Sequence, residues 1–396
     1  MFKKEGFTRR TLGLKAAARI SRLTEPPHRR ILKEARSRGG AIMNLSVGDI
    51  FIEPHPLVKD AVRKASEENS LTYPPVEGLS ELRASIAEYL RDSRGLEVKG
   101  ENILVTAGAS EAFLIALMSI LDAGDRIILP DPTYPQHLLA VNLFDNARVE
   151  YYSQDSEVAE QFSGRSGGNG REIILVCSPN NPTGNIIPRR DMERLVEYAC
   201  EKNAIIVSDE TYFEIFFGGD KPASPGSFDT RLEKTILIGS FSKNMGVTGL
   251  RVGFLASEQE IVTSASMVRY ATSLTSNAVG QRAVLKTLPL ISEISRYVRL
   301  NIEKRLKTFT QGFRRTDLFK IYEPQGSLYV FPSIPFKSFD FCLELARETG
   351  VVLAPGQGFG PSGENHVRIS FGAKEEDIRN SLPLINRFEP KVERCL

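Results

Sequence analysis

The sequence of 396 residues is poor in the residue types that usually announce a metal centre or a disulfide framework. Four cysteines, Cys177, Cys200, Cys342 and Cys395, stand far apart with no CxxC pair. That spacing gives neither a disulfide set nor a zinc site, and reduced structural thiols are the plain reading. Four histidines, His28, His55, His137 and His366, are equally scattered, so no metal is expected. No apolar run approaches the ~20 residues of a membrane span. Charge of one sign is missing too: 51 Lys and Arg face 49 Asp and Glu. A balance so near neutral gives no reason to expect nucleic acid or an anionic membrane as partner. Together these absences point to an ordinary cytoplasmic globular protein, and the length leaves room for two domains. The basic N-terminus, residues 1–23, reads as an amphipathic first helix, with a transit peptide as the fainter alternative.

What is present is a set of five short apolar runs: Asn102–Thr106, Arg126–Pro130, Glu172–Cys177, Ala204–Ser208 and Thr235–Gly239. Each is nearly continuous in aliphatic residues, as strands buried on both faces are. Helical spacing recurs between some of them, at Ser110–Leu121 (Phe113, Leu114, Leu117, Ile120) and Arg189–Lys202 (Met192, Leu195, Val196, Ala199). Alternation of this kind predicts an α/β fold whose larger domain is a mostly parallel, doubly wound sheet. The last third differs. Helical stretches at Ile291–Phe309 and Phe339–Thr349 flank short strand candidates at Ser327–Phe331 and His366–Phe371, which predicts a smaller α+β domain. The expected division is an N-terminal arm over residues 1–44, a large domain over 45–288 and a small C-terminal domain over 289–396, with the arm completing the small domain. Residues 163–170 (SGRSGGNG) are the one low-complexity patch and read as a flexible surface loop.

Ligands of open α/β sheets gather beyond the carboxyl ends of the strands. The residues that follow the five runs are polar, glycine-bearing or reactive: 107–110, 131–134, 178–184, 209–212 and 240–243. The last of these opens the segment Ser240-Phe-Ser-Lys-Asn-Met-Gly-Val-Thr-Gly-Leu-Arg-Val-Gly253. A lysine just past a buried strand is placed to spend part of its time neutral and act as a nucleophile. Ser240 and Arg251 on either side suit a phosphate dianion, the arginine through a forked contact. Alone, such a lysine reads as a surface residue with its stem along apolar ground.

The fourteen-residue segment resembles the pyridoxal-phosphate attachment motif of class I/II aminotransferases, members of the fold type I (aspartate aminotransferase-like) superfamily. Motifs in that family's order run from Gly48 to Gly372. The resemblance implies that Lys243 is catalytic and carries pyridoxal phosphate as a Schiff base, with Ser240 and Arg251 on its phosphate. Asn181, in Asn180-Asn-Pro-Thr-Gly184, then bonds the cofactor's 3′ oxygen and lies beside the substrate, although a tight turn also explains this sequence. Asp209, in Asp209-Glu-Thr-Tyr212, matches the carboxylate that keeps the ring nitrogen protonated, and Tyr212 joins Asn181 at the 3′ oxygen; a helix cap is the simpler reading of Asp209. The amides of Ala109 and Ser110 hold the phosphate at a helix start, and Tyr134 stacks on the ring. Tyr73 reaches the phosphate of a neighbouring subunit, which implies a homodimer. On the substrate side stand Gly48 and Arg368, the latter gripping the α-carboxylate. Gly356-x-Gly-x-Gly360 opens no βαβ unit and is not a dinucleotide motif.

The implied reaction is a ping-pong transfer of an amino group between an L-amino acid and a 2-oxo acid. Members that act on acidic substrates often place a basic group near the phosphate-binding helix start, where this chain has Ser110, so the donor stays open and glutamate with 2-oxoglutarate is a family-level expectation. The alternative on the same fold is a β- or γ-eliminase, such as a carbon–sulfur lyase or a cyclopropane-forming synthase. A cofactor-sensing regulator would need a long N-terminal DNA-binding domain, and about forty residues precede Leu45.

Overall fold

All five apolar runs become strands, because their side chains find apolar partners on both faces of one sheet. The computed structural model describes residues 17, 20, 23–37, 39–68, 71–144, 147–154, 157–162, 170–219, 221–315 and 317–395. The expected first helix over 1–23 and the loop over 163–170 lie almost wholly outside the described residues.

The chain opens with α1 (Pro27–Ser37) and the short strand β1 (Met43–Asn44). Helices α2 (Pro56–Glu67) and α3 (Ser80–Arg94) lead into β2 (Ile103–Thr106), α4 (Ala109–Ile120) and β3 (Arg126–Pro130). Then come α5 (Pro135–Val141), β4 (Arg148–Tyr152), β5 (Glu172–Cys177), α6 (Arg189–Lys202) and β6 (Ile205–Asp209). β7 (Thr235–Ser240), the single turn α7 (Phe241–Asn244) and β8 (Gly253–Ala256) complete the sheet, whose order is β2-β8-β7-β6-β5-β3-β4. Only β8 is antiparallel to its neighbours, so β2, β3, β5, β6 and β7 all end at one edge.

Successive residues of the strands point to opposite faces. Ile127 and Leu129 of β3, Ile173 and Leu175 of β5, and Ile236 and Ile238 of β7 pack with α4 and α8 (Gln259–Thr272). Ile128, Ile174, Val176 and Ile206 pack the other way, with α6, while Leu237 joins α3 and α9 (Ala278–Thr287). Helices on both faces make the sheet doubly wound. Two of its strands are absent from the five runs. β4 is an edge strand with mostly half-exposed residues, so its apolar signal is weak. β8 has four residues, the first of which, Gly253, is the last of the lysine segment.

A second core gathers the ends of the chain. α10 (Ile291–Gly312), β9 (Tyr329–Val330), α11 (Ser338–Thr349), β10 (Val351–Val352), β11 (Ala354–Pro355), β12 (Val367–Ser370) and α12 (Glu375–Arg387) follow one another there. β1 pairs with β10 in parallel, and β12 lies between β11 and β9 antiparallel to both. Ile31, Ala35 and Leu45 from the N-terminal arm share this core with Val298, Phe309, Phe341 and Phe371. α10 belongs to both bodies: Ile291 and Ile294 pack beside the sheet, and Val298 onward pack in the small core. Among the described residues, no helix is long and apolar enough to cross a membrane.

Candidate active site

The common edge of the five strands faces the small core across a cavity of about 750 Å³. Gly48, Ala109, Ser110, Tyr134, Asn181, Asp209, Tyr212, Ser240, Lys243, Arg251 and Arg368 all line it. Tyr73 does not. It stands in the loop before α3, 82% exposed.

β7 delivers the lysine. Ser240 caps α7, its Oγ accepting the Ser242 N–H at 3.2 Å, and Lys243 follows within that turn. The Nζ donates to the carbonyl of Gly48. Gly48 has to be glycine, since a Cβ there would sit 2.1 Å from the Tyr329 hydroxyl. Burial lowers the Lys243 pKa to about 8; Asp49 pushes it back up, while Arg251 and Arg368 lower it further. Desolvation disfavours the charged amine. Asp49 is itself held by the Ile50 amide at 2.8 Å and by Thr248 Oγ1 at 2.6 Å.

Asp209 ends β6, buried. Burial alone would raise its pKa, but the hydrogen bond and charge of His137, with the Thr211 amide, outweigh this and hold it below the usual carboxylate value. The contacts are His137 Nε2 to Oδ2 and the Thr211 N–H to Oδ1, both 3.0 Å. The other ring nitrogen of His137 meets Thr133 Oγ1 at 3.1 Å. Tyr134 stands edge-on to the same imidazole, centroids 5.5 Å apart. Burial raises the pKa of Tyr134 and of Tyr212, whose hydroxyl pairs with that of Tyr329 at 2.7 Å.

The opposite wall is Arg368 of β12. Its Nη1 donates to Asn181 Oδ1 at 3.0 Å and its Nη2 to the Ser46 carbonyl at 2.5 Å, while Nε has no partner among the described residues. The guanidinium lies 4.3 Å from the ring centre of Tyr329 and 4.8 Å from that of Phe359. A buried, partly unpaired guanidinium facing a cavity suits a carboxylate.

At the third side, α4 starts at Ala109 behind Gly108, whose φ of +92° is left-handed territory. Arg251 Nη2 donates to the Ala107 carbonyl at 2.7 Å and Nη1 to the Thr248 carbonyl at 3.2 Å. A Cβ on Gly108 would meet this guanidinium at 2.8 Å. Ser110 Oγ donates to Gln136 Oε1 at 2.5 Å, and the buried Ser242 Oγ has no partner among the described residues. Helix amides, hydroxyls and a guanidinium converging on one corner form an anion cup.

Five contributors escaped the sequence reading: Asp49, His137, Ser242, Thr248 and Tyr329. A signal existed for His137, which lies three residues past Tyr134 and hence on the same face of α5. Tyr329 gave none, since β9 is brought to the cavity by contacts distant in sequence. Among the described residues, no three His, Cys, Asp or Glu are placed to hold a metal ion.

Comparison with known proteins gives this geometry a family. The family model described as aminotransferase class I and II matches residues 41–383. The (5-formylfuran-3-yl)methyl phosphate transaminase of Methanocaldococcus jannaschii is 31% identical over 368 residues, covering 90% of this chain and 94% of that protein. The aspartate aminotransferase of Bacillus subtilis is 31% identical over 397 residues, covering 96% of this chain and all (100%) of its own. A single mutant of Thermus thermophilus aspartate aminotransferase superposes with a TM-score of 0.86 at 26% identity, over 95% of this chain and 100% of that one. A Methanococcus jannaschii structure, described as similar in its active site to kynurenine aminotransferases, gives 0.84 at 29% identity over 94% and 99%.

The chain belongs to the class I and II aminotransferases, enzymes of fold type I that use pyridoxal phosphate. The names of these relatives do not favour an eliminase. The residues present fit the cofactor: the anion cup has an unpartnered buried hydroxyl at Ser242, and a buried carboxylate at Asp209 stands across the same cavity.

Proposed function

We propose that Lys243 is the amine that carries pyridoxal phosphate in this aminotransferase, and that the cavity residues divide its work as follows. The cup of Ala109, Ser110, Ser240 and Arg251 takes the phosphate. Tyr134 covers the ring, Asp209 pairs with its nitrogen, and Asn181 and Tyr212 hold the 3′ oxygen. When bound, the cofactor supplies an electron sink for charge that develops on the substrate's α-carbon. Asp209 keeps that sink positive, because a buried anion favours a protonated ring nitrogen. His137 and Thr211 keep Asp209 ionised and aimed.

Arg368 binds the α-carboxylate of the amino acid and so orients the α-hydrogen. Lys243 Nζ, once free, takes the α-proton and later returns one, and the desolvation that lowers its pKa favours the neutral amine that a base requires. Asp49 and the Gly48 carbonyl fix where that amine sits. The overall exchange turns an amino acid into its 2-oxo acid and then reverses with a second 2-oxo acid.

The first turn of α1 adds His28 and Arg29 to the cavity wall. Burial, then the charges of Arg368 and Arg29, lowers the His28 pKa to about 4, so Arg29 is the cation that this turn presents to the cavity. A second acid group on the substrate, as in glutamate and 2-oxoglutarate, would find it there. We further assign residues 289–396 to the small domain, completed by part of the N-terminal arm over 1–44, and 45–288 to the large one, in a cytoplasmic homodimer to which exposed Tyr73 lends its hydroxyl across the interface. Four free thiols accord with a reducing compartment.

The observation that carries the reading is a single cavity joining a half-buried amine, a buried carboxylate and two guanidinium groups. Its test is reduction of the purified protein with borohydride, followed by mass spectrometry of the peptides. A phosphopyridoxyl group on Lys243 is expected. Modification of another lysine, or of none, defeats the assignment.

A further inference from the structure

Behind the anion cup lies a cation that the reaction does not use. Arg269 of α8 is 0% exposed, and none of its three side-chain nitrogens has a hydrogen-bond partner among the described residues. Taking a guanidinium out of water without hydrogen bonds is strongly unfavourable unless a nearby anion offsets it. Its ion-pair partner among those residues is Glu111, with Nη2 3.7 Å from Oε2.

Glu111 sits in the first turn of α4 and is committed at both oxygens. Oε2 accepts the Ala107 N–H at 2.5 Å, and Oε1 accepts Ser273 Oγ at 2.5 Å. Ala107 in turn offers its carbonyl to Arg251. A chain of contacts therefore runs from Arg269 through Glu111 and Ala107 to the guanidinium of the cup. Glu111 has a drawback in that place. It is an anion in the first turn of the helix whose leading amides form the phosphate site, and a bare anion there would repel a phosphate dianion.

We propose that Arg269 is a positioning residue for the cofactor phosphate: it cancels the charge of Glu111, so that Glu111 can pin Ala107 and Arg251 without repelling what the cup binds. This rests on the assignment of the cup to the phosphate.

The test is the dissociation constant of pyridoxal phosphate, measured by dialysis of the holoenzyme and absorbance of the released cofactor. Arg269→Met should weaken retention by about tenfold or more, the range of coupling between charges in contact. The KM for an amino donor at saturating cofactor should stay unchanged. Arg269→Lys, which keeps the charge, should hold within about threefold. In the double variant Arg269→Met with Glu111→Gln the anion is gone while the amide oxygen still accepts from Ala107. Most of the lost affinity should return. Retention by Arg269→Met equal to the unmodified enzyme overturns the proposal, and so does a double variant as weak as the single one. If Arg269→Met fails to fold, the double variant is compared with Glu111→Gln alone, and a large further loss of cofactor is the overturning result. Arg251→Gln separates the two levels: if it keeps the cofactor fully, the cup itself is misassigned; if it loses cofactor while Arg269→Met does not, only the role of Arg269 fails.

Discussion

The two walls of the cavity are built by different means. On the sheet side, Asp209 and Ser240 end strands whose burial is complete or nearly so and which are paired to neighbours on both sides, and Lys243 follows Ser240 within the turn α7. On the other side, Arg368 rides on a four-residue strand between two-residue partners. That wall is held by a side chain instead. Arg305 of α10 is buried, and its Nη1 donates to the carbonyls of Gly372 and Ala373 at 3.1 and 2.7 Å, its Nη2 to that of Phe51 at 2.6 Å. One guanidinium thus ties the end of β12 to the segment beside Gly48 and Asp49. On the assignment proposed above, chemistry falls to the wall that is fixed by backbone and substrate grip to the wall that is fixed by a staple.

Changes on the two walls should therefore fail differently. Lys243→Ala should lower turnover by at least ~1,000-fold, since nucleophile and general base go together. Steady-state assays with an amino donor check this, and full turnover in the variant would refute the division of labour. Arg368→Gln should cost about 100-fold in kcat/KM for every amino acid tried, from loss of a forked ionic contact, with cofactor absorbance unchanged. A loss confined to cofactor binding would move Arg368 to the other wall. Arg305→Met should destabilise the protein by about 2–4 kcal/mol in denaturant titration, because it leaves several buried carbonyls unpaired. Its effect on substrate affinity should exceed its effect on cofactor retention.

A further difference is expected in pH dependence. The free Lys243 amine titrates near 8 in the folded chain and at the ordinary 10.5 when unfolded. Between those values the unfolded chain holds more protons, so the stability of cofactor-free protein should rise as pH climbs from about 8 to 10.5. Below pH 8 the full penalty of a buried ammonium applies. Lys243→Met should flatten the rise, measured as the difference between the two unfolding curves. Equal slopes would mean that the amine is solvated.

The same contrast governs how much of each wall is legible in the amino-acid sequence. The sheet wall is: β3, β5 and α6 fall where their apolar runs and helical spacing place them, and one residue after each of these strands, Tyr134 and Asn181, lines the cavity. Runs buried on both faces are locally encoded, so a window of a few residues suffices. β4 escaped because an edge strand needs few apolar residues. His137 carries a local signal in its spacing from Tyr134, but its role depends on Asp209, 72 residues away. Tyr329 and Arg305 act through contacts with residues far along the chain, and no local pattern marks them.

The sequence by itself determined the alternation that yields a doubly wound sheet, and a lysine segment whose resemblance named a family and cofactor. Tertiary structure alone decided that Gly48, Asp49 and Arg368 meet Lys243 around one cavity, and that a buried Arg269 stands behind Glu111. The physical reason is range: hydrophobic periodicity acts between neighbours in the chain, whereas desolvation and charge pairing depend on which distant segments the fold brings within a few ångströms.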